Sequence, residues 1–481
     1  MTTTTPDTMQ IVFVVPDDTV EYVGVQLLSG ELKRAGFKQI TAFSFTSRNL
    51  ERQIRRFPHT VLAFCLFTPF AQRCIARAWQ LKRALPRQHI TTVFGGPHPQ
   101  FTPDMIYADG VDGICFGEAE AAMVEYVQRY DFAARRPATD VRNWWIKDAA
   151  GAVHKNPLRP VSRDLDALSF ADMSLFPRST FFRRGLRRFT FSRGCPFNCR
   201  YCLVAGYARA YHLTPAEYYR TRSVASAIAE IKQCVRQYGG TVVGFRDSIL
   251  GIDLPWMEEF SAHYRREIGL PFYCNQEAQT LSARHAHLLR QAGCFLVQLG
   301  LESGNERVRG EYLHKYFSDE RFVQAAGYVK EHGMRLGTYN MIGIPGGTLA
   351  DDLQTLTFNQ RVRTDLAECK IFSFYPGIEI YDEYVAKGAH PEQFAVRHNV
   401  YWSVISDSTV RRDLPQLLRL HCLFNIFVYY RAPRWLVRAL ISLPLRPLYK
   451  LAALLIVRIN LHYRKMLVPP RAAVRKDRHG A

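Results

Sequence analysis

The sequence predicts an α/β protein made of two parallel-sheet units, a doubly wound sheet and then a partial barrel, with a basic helical region at the C-terminal end. Three observations carry this. Short apolar runs alternate with amphipathic stretches from Ile11 onward, the pattern of parallel strands covered by helices. The alternation pauses over an irregular, proline-punctuated stretch and restarts at Phe189. From about residue 401 it stops, and Lys and Arg take over. The expected divisions are residues 9–140, a linker at 141–188, a second domain at 189–400 and a tail at 401–481.

In the first domain, Ile11-Val12-Phe13-Val14-Val15 reads as a buried strand ended by Pro16. Val23, Leu27, Leu28 and Leu32 follow at helical spacing, and Gly36 closes that helix. Further strands are expected at Ile40–Phe45, Val61–Leu66, Thr91–Phe94 and Gly113–Cys115, with a helix from about Phe70 to Leu85. Five strands with intervening helices make a Rossmann-like, flavodoxin-type sheet, which binds ligands at the C-terminal ends of its strands. Gly95-Gly96-Pro97-His98-Pro99 follows the fourth strand, and Phe116-Gly117-Glu118 follows the fifth. Paired glycines allow a ligand close to the backbone, and the prolines stiffen the exit.

Residues 131–188 read as an irregular connector, with Trp144 and Trp145 packing at a domain interface. Six strand–helix units then follow, with strands expected at Phe189–Ser192, Thr241–Arg246, Pro271–Gln276, Phe295–Leu301, Arg335–Met341 and Cys369–Tyr375. Six units fall short of the eight of a closed TIM barrel. The expectation is therefore a partial (β/α)6 barrel with its chemistry at the C-terminal strand ends.

Composition narrows the setting. The chain has 481 residues, 47% of them hydrophobic, enough for two or three cores. Eleven cysteines without a regular framework point to a reducing, cytoplasmic compartment rather than to disulfides. The Thr-rich lead Met1–Gln10 lacks a charged segment followed by an apolar one, so it reads as a disordered lead and not a signal peptide.

The chemistry concentrates at Cys195-Pro196-Phe197-Asn198-Cys199-Arg200-Tyr201-Cys202, a C-x3-C-x2-C loop preceded by Ser192-Arg193-Gly194. Iron–sulfur cubanes are normally held by four thiolates. Three in one loop leave one iron open to an outside ligand. Zinc is the alternative, but a second C-x2-C unit or a pair of histidines does not follow.

This spacing resembles that of the radical S-adenosylmethionine (SAM) enzymes, and the resemblance runs from about Phe189 to Gly377. It implies a [4Fe–4S] cluster on Cys195, Cys199 and Cys202, with SAM chelated at the open iron and Tyr201 beside the adenine. In that family one electron from the cluster breaks a carbon–sulfur bond of SAM and yields a 5′-deoxyadenosyl radical. Leu299-Gly300-Leu301-Glu302-Ser303-Gly304 matches a pattern in which the glutamate, here Glu302, helps bind SAM, and Met341-Ile342-Gly343-Ile344-Pro345-Gly346 places Gly343 on the adenosyl side. Arg246 is a departure, since related proteins often carry two acidic residues at that strand end.

The first domain resembles the cobalamin-binding domain that precedes many radical SAM domains, including those of methyltransferases and of anaerobic magnesium-protoporphyrin ester cyclases. The resemblance implies cobalamin held by Gly95, Gly96, His98 and Gly117. The D-x-H-x-x-G motif that gives a histidine to cobalt is missing: Asp17 and Asp18 are present, but no His follows. His98 is expected as a loop residue, with no protein nitrogen below the cobalt. The implied activity is methyl transfer to an unactivated carbon through cobalamin, with ring formation or oxidation as the alternative and a non-catalytic iron–sulfur protein as a third reading. RNA-methylthiolating relatives carry a second three-cysteine domain, which is absent from this sequence.

The net charge of +20 is unevenly placed. From Arg411 onward there are fifteen Lys and Arg residues against Asp413 and Asp477, interleaved with Phe427, Trp435 and Leu454. Basic, aromatic, amphipathic helices of this kind lie on anionic membrane surfaces, so the tail is expected at the inner membrane face. No nucleic-acid motif accompanies the charge. The expected partners are a small-molecule or lipid-like substrate and a reductant such as flavodoxin or ferredoxin.

Overall fold

The computed structural model describes residues 9–388, 396–399, 402–406 and 413–444. The chain divides into two compact units. Unit 1 comprises residues up to Arg184 together with Gly206–Thr214, and unit 2 comprises Gly185–Ala205 and the chain from Pro215 onward.

Unit 1 is built on strands β1 (Met9–Val15), β2 (Ile40–Ser44), β3 (His59–Cys65), β4 (His89–Gly95) and β5 (Gly113–Cys115). Its first helices are α1 (Val23–Arg34), α2 (Asn49–Ile54), α3 (Ala71–Ala84), α4 (Pro97–Phe101) and α5 (Glu120–Gln128). The five strands are parallel in the order β2-β1-β3-β4-β5, the flavodoxin-like winding. Successive side chains on a strand point to opposite faces, and β1 is buried on both. Ile11, Phe13 and Val15 pack with Val25, Ala122 and Met123 on one side. Val12 and Val14 pack with Cys74, Ala78 and Leu81 on the other. That two-sided burial is why β1 reads as an unbroken apolar run.

The connector is more ordered than its sequence suggests. Strands β6 (Trp144–Lys147) and β7 (Val153–Lys155) extend the sheet antiparallel from β5. Trp144, expected at a domain interface, is 1% exposed in the unit 1 core. Its ring stacks on Tyr126 at 4.4 Å, and its Nε1 donates to the Ala122 carbonyl at 3.0 Å. The short helix α6 (Thr180–Arg183) ends the unit's main run.

Unit 2 opens with β8 (Leu186–Phe189). The cysteine loop follows β9 (Ser192–Arg193), which pairs antiparallel with β10 (Arg220–Thr221). Helices α7 (Leu203–Ala210) and α8 (Pro215–Tyr218) lie between those two short strands in sequence. The main sheet continues through β11 (Val242–Phe245), β12 (Phe272–Gln276), β13 (Cys294–Glu302), β14 (Arg335–Ile342) and β15 (Leu366–Ile371). These five and β8 are all parallel in the order β15-β14-β13-β12-β11-β8. That is the expected six-stranded partial barrel. The sixth strand starts at Leu366 and not Cys369, because Ala367, Cys369 and Ile371 form its apolar face.

Helices α9 (Val224–Tyr238), α10 (Leu254–Glu267), α11 (Ala283–Ala292), α12 (Asp319–Glu331) and α13 (Leu349–Arg361) connect the strands. A side-chain cap starts each of the five: Ser223, Asp253, Ser282, Ser318 and Thr348 each accept a backbone N–H of the first turn. Past α14 (Glu379–Ala386) come the antiparallel strands β16 (Val396–Asn399) and β17 (Trp402–Ser406), then α15 (Leu414–Tyr429) and α16 (Arg434–Ser442). Leu417, Leu420, Phe424 and Phe427 of α15 pack with Cys369 and Ile371 of β15. Phe427, read from the sequence as part of a membrane-facing surface, is therefore a core residue, because this helix caps the sheet. Leu454, Arg446 and Arg458 of the expected amphipathic tail lie outside the described residues.

Candidate functional site

The cysteine loop is anchored at both ends and in the middle. Upstream, Asp247 just past β11 is 1% exposed. Its Oδ1 accepts from the backbone of Phe191 at 2.9 Å and Ser192 at 2.5 Å, and from the Ser192 hydroxyl at 2.6 Å. Burial pushes its pKa up to about 6, against those three donors. At the centre, Arg200 N–H donates to the Leu313 carbonyl at 3.1 Å. The Arg200 guanidinium pairs with Glu379 at 2.7 Å and with Glu383 on α14. Downstream, Cys202 N–H donates to the Cys199 carbonyl at 3.1 Å. The backbone N–H groups of Val204 and Ala205, at the start of α7, reach the Cys202 sulfur and favour its thiolate against burial.

Cys195, Cys199 and Cys202 are all half-buried free thiols. Burial pushes Cys195 up to about 11 and Cys199 up to about 12. A metal that takes them as thiolates must displace those protons. Among the described residues no three His, Cys, Asp or Glu side chains converge on a single metal-ion position. A cubane takes one thiolate at each of several corners, so its ligands stand apart. The three thiols of one clamped loop fit that donor set.

The residue that sequence reasoning missed is Lys315. It is 5% exposed. Its Nζ lies 2.6 Å from Glu277 Oε2, just past β12, and 3.9 Å from Glu302 Oε1 at the end of β13. Burial works against its charge, but Glu277, Glu302 and Cys199 outweigh it and raise its pKa. Glu302 goes up through burial, offset in part by Lys315 and by the Tyr201 hydroxyl. Tyr201 also packs against the cluster of Val308, Leu313, Ile344 and Phe374. The structure thus brings Tyr201, Glu302 and the cysteines to one place, around a buried ammonium. The glutamates were legible as strand-end residues; Lys315 sits after a short π-helical turn that carries no motif.

Glu302 stands in a backbone conformation with φ of +63°, at a register shift between β13 and β14. A non-glycine residue there costs about 1 kcal/mol or more and marks functional positions. Gly300 makes room for it: a Cβ at 300 would lie 2.6 Å from Glu302 Oε1 and 2.9 Å from Lys315 Nζ. Gly343 ends β14 with φ of +73°, and its N–H donates to Asp352 at 2.9 Å.

In unit 1 the expected cobalamin residues divide. Gly95 has open space where a Cβ would stand, as a close-approaching ligand needs. Gly96 has φ of +99°, and a Cβ there would meet the Leu66 backbone at 3.0 Å. His98 N–H donates to the Leu66 carbonyl at 3.1 Å, and its Nδ1 lies 3.3 Å from the Thr68 hydroxyl. Burial lowers the His98 pKa to about 4, so the ring is neutral near pH 7. Gly117, expected to face the cofactor, faces protein instead. A Cβ there would lie 1.9 Å from the Tyr211 hydroxyl, which accepts the Glu118 N–H at 2.7 Å. Gly117 N–H itself goes to Gln100 Oε1 at 2.6 Å. This glycine is needed because a phenol packs on it. Open backbone at Gly95 and a neutral imidazole beside it fit a bulky cofactor on the loop after β4.

Known proteins agree with this division. Residues 189–358 match the radical SAM superfamily, and residues 9–127 match the B12 binding domain. An uncharacterized methyltransferase of Pyrococcus horikoshii is 25% identical over 305 residues, 62% of this chain and 64% of that protein. The anaerobic magnesium-protoporphyrin IX monomethyl ester cyclase of Rubrivivax gelatinosus is 23% identical over 381 residues, 75% of this chain and 65% of that protein. The chain thus spans just under two thirds of the length of each. The radical SAM methyltransferase TsrM of Kitasatospora setae, solved with cobalamin and a [4Fe–4S] cluster bound, superposes with a TM-score of 0.62 at 15% identity, covering 79% of this chain and 78% of that one. The two matched segments fall within the doubly wound sheet and the partial barrel, and the chain carries a B12 binding domain ahead of a radical SAM domain.

Proposed function

We propose that the protein is a radical SAM enzyme that uses cobalamin to transfer a methyl group to an unactivated carbon of a small or lipid-like biosynthetic intermediate. The observation that carries this is the clamped cysteine loop set against the buried Lys315–Glu277–Glu302 group. When bound, the cluster with SAM supplies one-electron cleavage chemistry, and cobalamin supplies a methyl carrier. The residues do the positioning. Cys195, Cys199 and Cys202 would hold the cluster. Lys315 keeps positive charge beside the three sulfurs, which would be thiolates on the cluster, and pairs with Glu302. Glu302 and Tyr201 would orient SAM, with Gly343 beside its adenosyl end. Gly95, Gly96 and His98 would receive the cobalamin. Electrons would come from a flavodoxin or ferredoxin.

The likeness to the ester cyclase of Rubrivivax gelatinosus favours a second reading, ring formation without methylation. SAM carrying a deuterated methyl group separates the two. Anaerobically reconstituted, cobalamin-loaded protein, given a reductant and an extract of cells lacking the gene, is expected to form 5′-deoxyadenosine and one product heavier by the labelled methyl. 5′-Deoxyadenosine with an unlabelled product means the cyclase-type reaction. No SAM cleavage by a cluster-loaded protein overturns the enzyme reading.

We also place the C-terminal helices at a membrane surface. No helix among the described residues is long and apolar enough to cross one. Where α15 meets α16, Tyr429, Tyr430 and Trp435 are 69%, 75% and 71% exposed, among the exposed cations Arg431, Arg434 and Arg438. Each such cation near an anionic leaflet contributes about 1 kcal/mol. The full chain is expected to float with phosphatidylserine vesicles at low salt, and a Tyr430→Ser/Trp435→Ser variant is expected to float less. Wild type that stays at the bottom of the gradient removes the membrane contact.

A further inference from the structure

The sheet of unit 2 has a second face, turned away from its helices, whose polar side chains the cluster site leaves unused. Registers and packing identify it. Phe245 and Phe272 pack on Phe260 and Tyr264 of α10, so their neighbours Gly244 and Tyr273 point to the opposite side. Thr338 and Asn340 bond Asn359 of α13, which leaves Tyr339 on that opposite side. Cys369 packs with α15, which leaves Glu368 and Lys370 there too. Tyr339 is directly paired with Glu368 across β14 and β15.

These side chains form one network. Asn275 Nδ2 donates to the Asp247 carbonyl at 2.8 Å, which fixes the amide. Its Oδ1 then accepts from the Tyr339 hydroxyl at 3.1 Å. The hydroxyl end of Tyr273 packs on Gly244, where a Cβ would be 2.5 Å from its hydroxyl. Arg246, one step past β11, faces Tyr273, Tyr339 and Glu368, whose electrostatics hold its charge against the surrounding protein. Water still reaches its side chain, which is exposed. Among the described residues Arg246 has no ion-pair partner, whereas Arg200, Arg309 and Lys315 of the same unit each have a carboxylate. Glu368 does not supply one; its Oε1 lies 3.5 Å from Lys370.

A guanidinium facing two phenols, walled by glycine and open to water, has the donor geometry for an anionic oxygen group. We propose that Arg246, with the hydroxyl of Tyr273, holds a carboxylate or phosphate of the substrate on this face of the unit 2 sheet, while Tyr339, whose proton goes to Asn275, walls the site. The proposal rests on the reading of unit 2 as the substrate-binding part of an enzyme, and it narrows the substrate class to molecules that bear such a group. It also gives a reason for arginine at a strand end where acidic residues were expected.

The test is labelling of the reconstituted full chain with phenylglyoxal at constant ionic strength, read residue by residue by mass spectrometry. Exposed Arg236 on α9 serves as the internal reference. Arg246 is expected to react in chloride and to be protected about fivefold or more by inorganic phosphate or by succinate, with Arg236 unaffected. Protection by phosphate alone points to a phosphorylated substrate, and protection by succinate alone points to a carboxylate. Tyr273→Phe is expected to raise the half-protecting concentration several-fold. An Arg246 that is inert throughout, or labelled equally with and without both anions, overturns the proposal. The labelling needs no turnover, so its outcome is independent of whether the same preparation cleaves SAM.

Discussion

Anaerobically reconstituted Cys199→Ala protein is expected to lose the [4Fe–4S] absorbance and to form 5′-deoxyadenosine from SAM at less than about 1% of the wild-type rate. Three thiolates are the whole protein ligand set of the loop, so removing one leaves two irons without a protein donor. The loss is local. Cys199 is half-buried, and the loop keeps its other anchors, Asp247 on the Ser192 side and Glu379 with Glu383 on Arg200. Hydrogen exchange in β11 to β14 is therefore expected to match wild type in the cluster-free proteins. Cys422→Ala, at a half-buried free thiol on α15, is expected to keep cluster and activity. A Cys199→Ala protein with full activity would remove the cluster assignment, and with it the role given to Lys315.

The second large effect is expected at Lys315. Lys315→Met keeps the volume and removes the charge, so Glu277 and Glu302 remain buried without their shared cation. Breaking a buried pair from one side costs about 3–5 kcal/mol. It is read as loss of hydrogen-exchange protection in β12 and β13 of the cluster-free protein. Lys315→Met/Glu277→Gln removes both partners and is expected to recover most of that loss. The pH dependence has a definite sign. Burial already raises the Glu302 pKa, and Lys315 holds part of that rise in check. Without the ammonium, the folded-state pKa moves further above the unfolded value of about 4.3. The folded state then binds the extra proton, so stability falls as pH rises through that window. The deficit of Lys315→Met is expected to be larger at pH 8 than at pH 5.5. A single variant as stable as wild type at pH 8 means that the carboxylates are not paired through Lys315.

What the sequence determined by itself was whatever is local. The C-x3-C-x2-C loop is complete within eight residues. The glycine of a strand-end turn is adjacent to the strand it ends. The order of strand–helix units follows from apolar periodicity that needs no partner. Those features marked the parallel strands of both sheets and set the cysteines, Tyr201, Glu302 and Gly95 at loops and strand ends. Tertiary structure decided what depends on register and on distant pairing. Lys315 meets Glu277 across 38 residues of chain, and Asp247 reaches back 56 residues to Phe191. Neither pairing has a spacing that one strand or helix could encode. Trp144 and Gly117 show the same limit from the other side. A tryptophan in a proline-rich stretch reads as a domain-interface residue until β6 pairs with β5, and a glycine after a strand reads as a cofactor contact until Tyr211 occupies its open side. Likewise, the alternation of side chains places Arg246, Tyr273, Asn275, Tyr339 and Glu368 on one face only once the four registers from β11 to β15 are fixed, because a slip of one residue on any strand would turn its side chain to the other face.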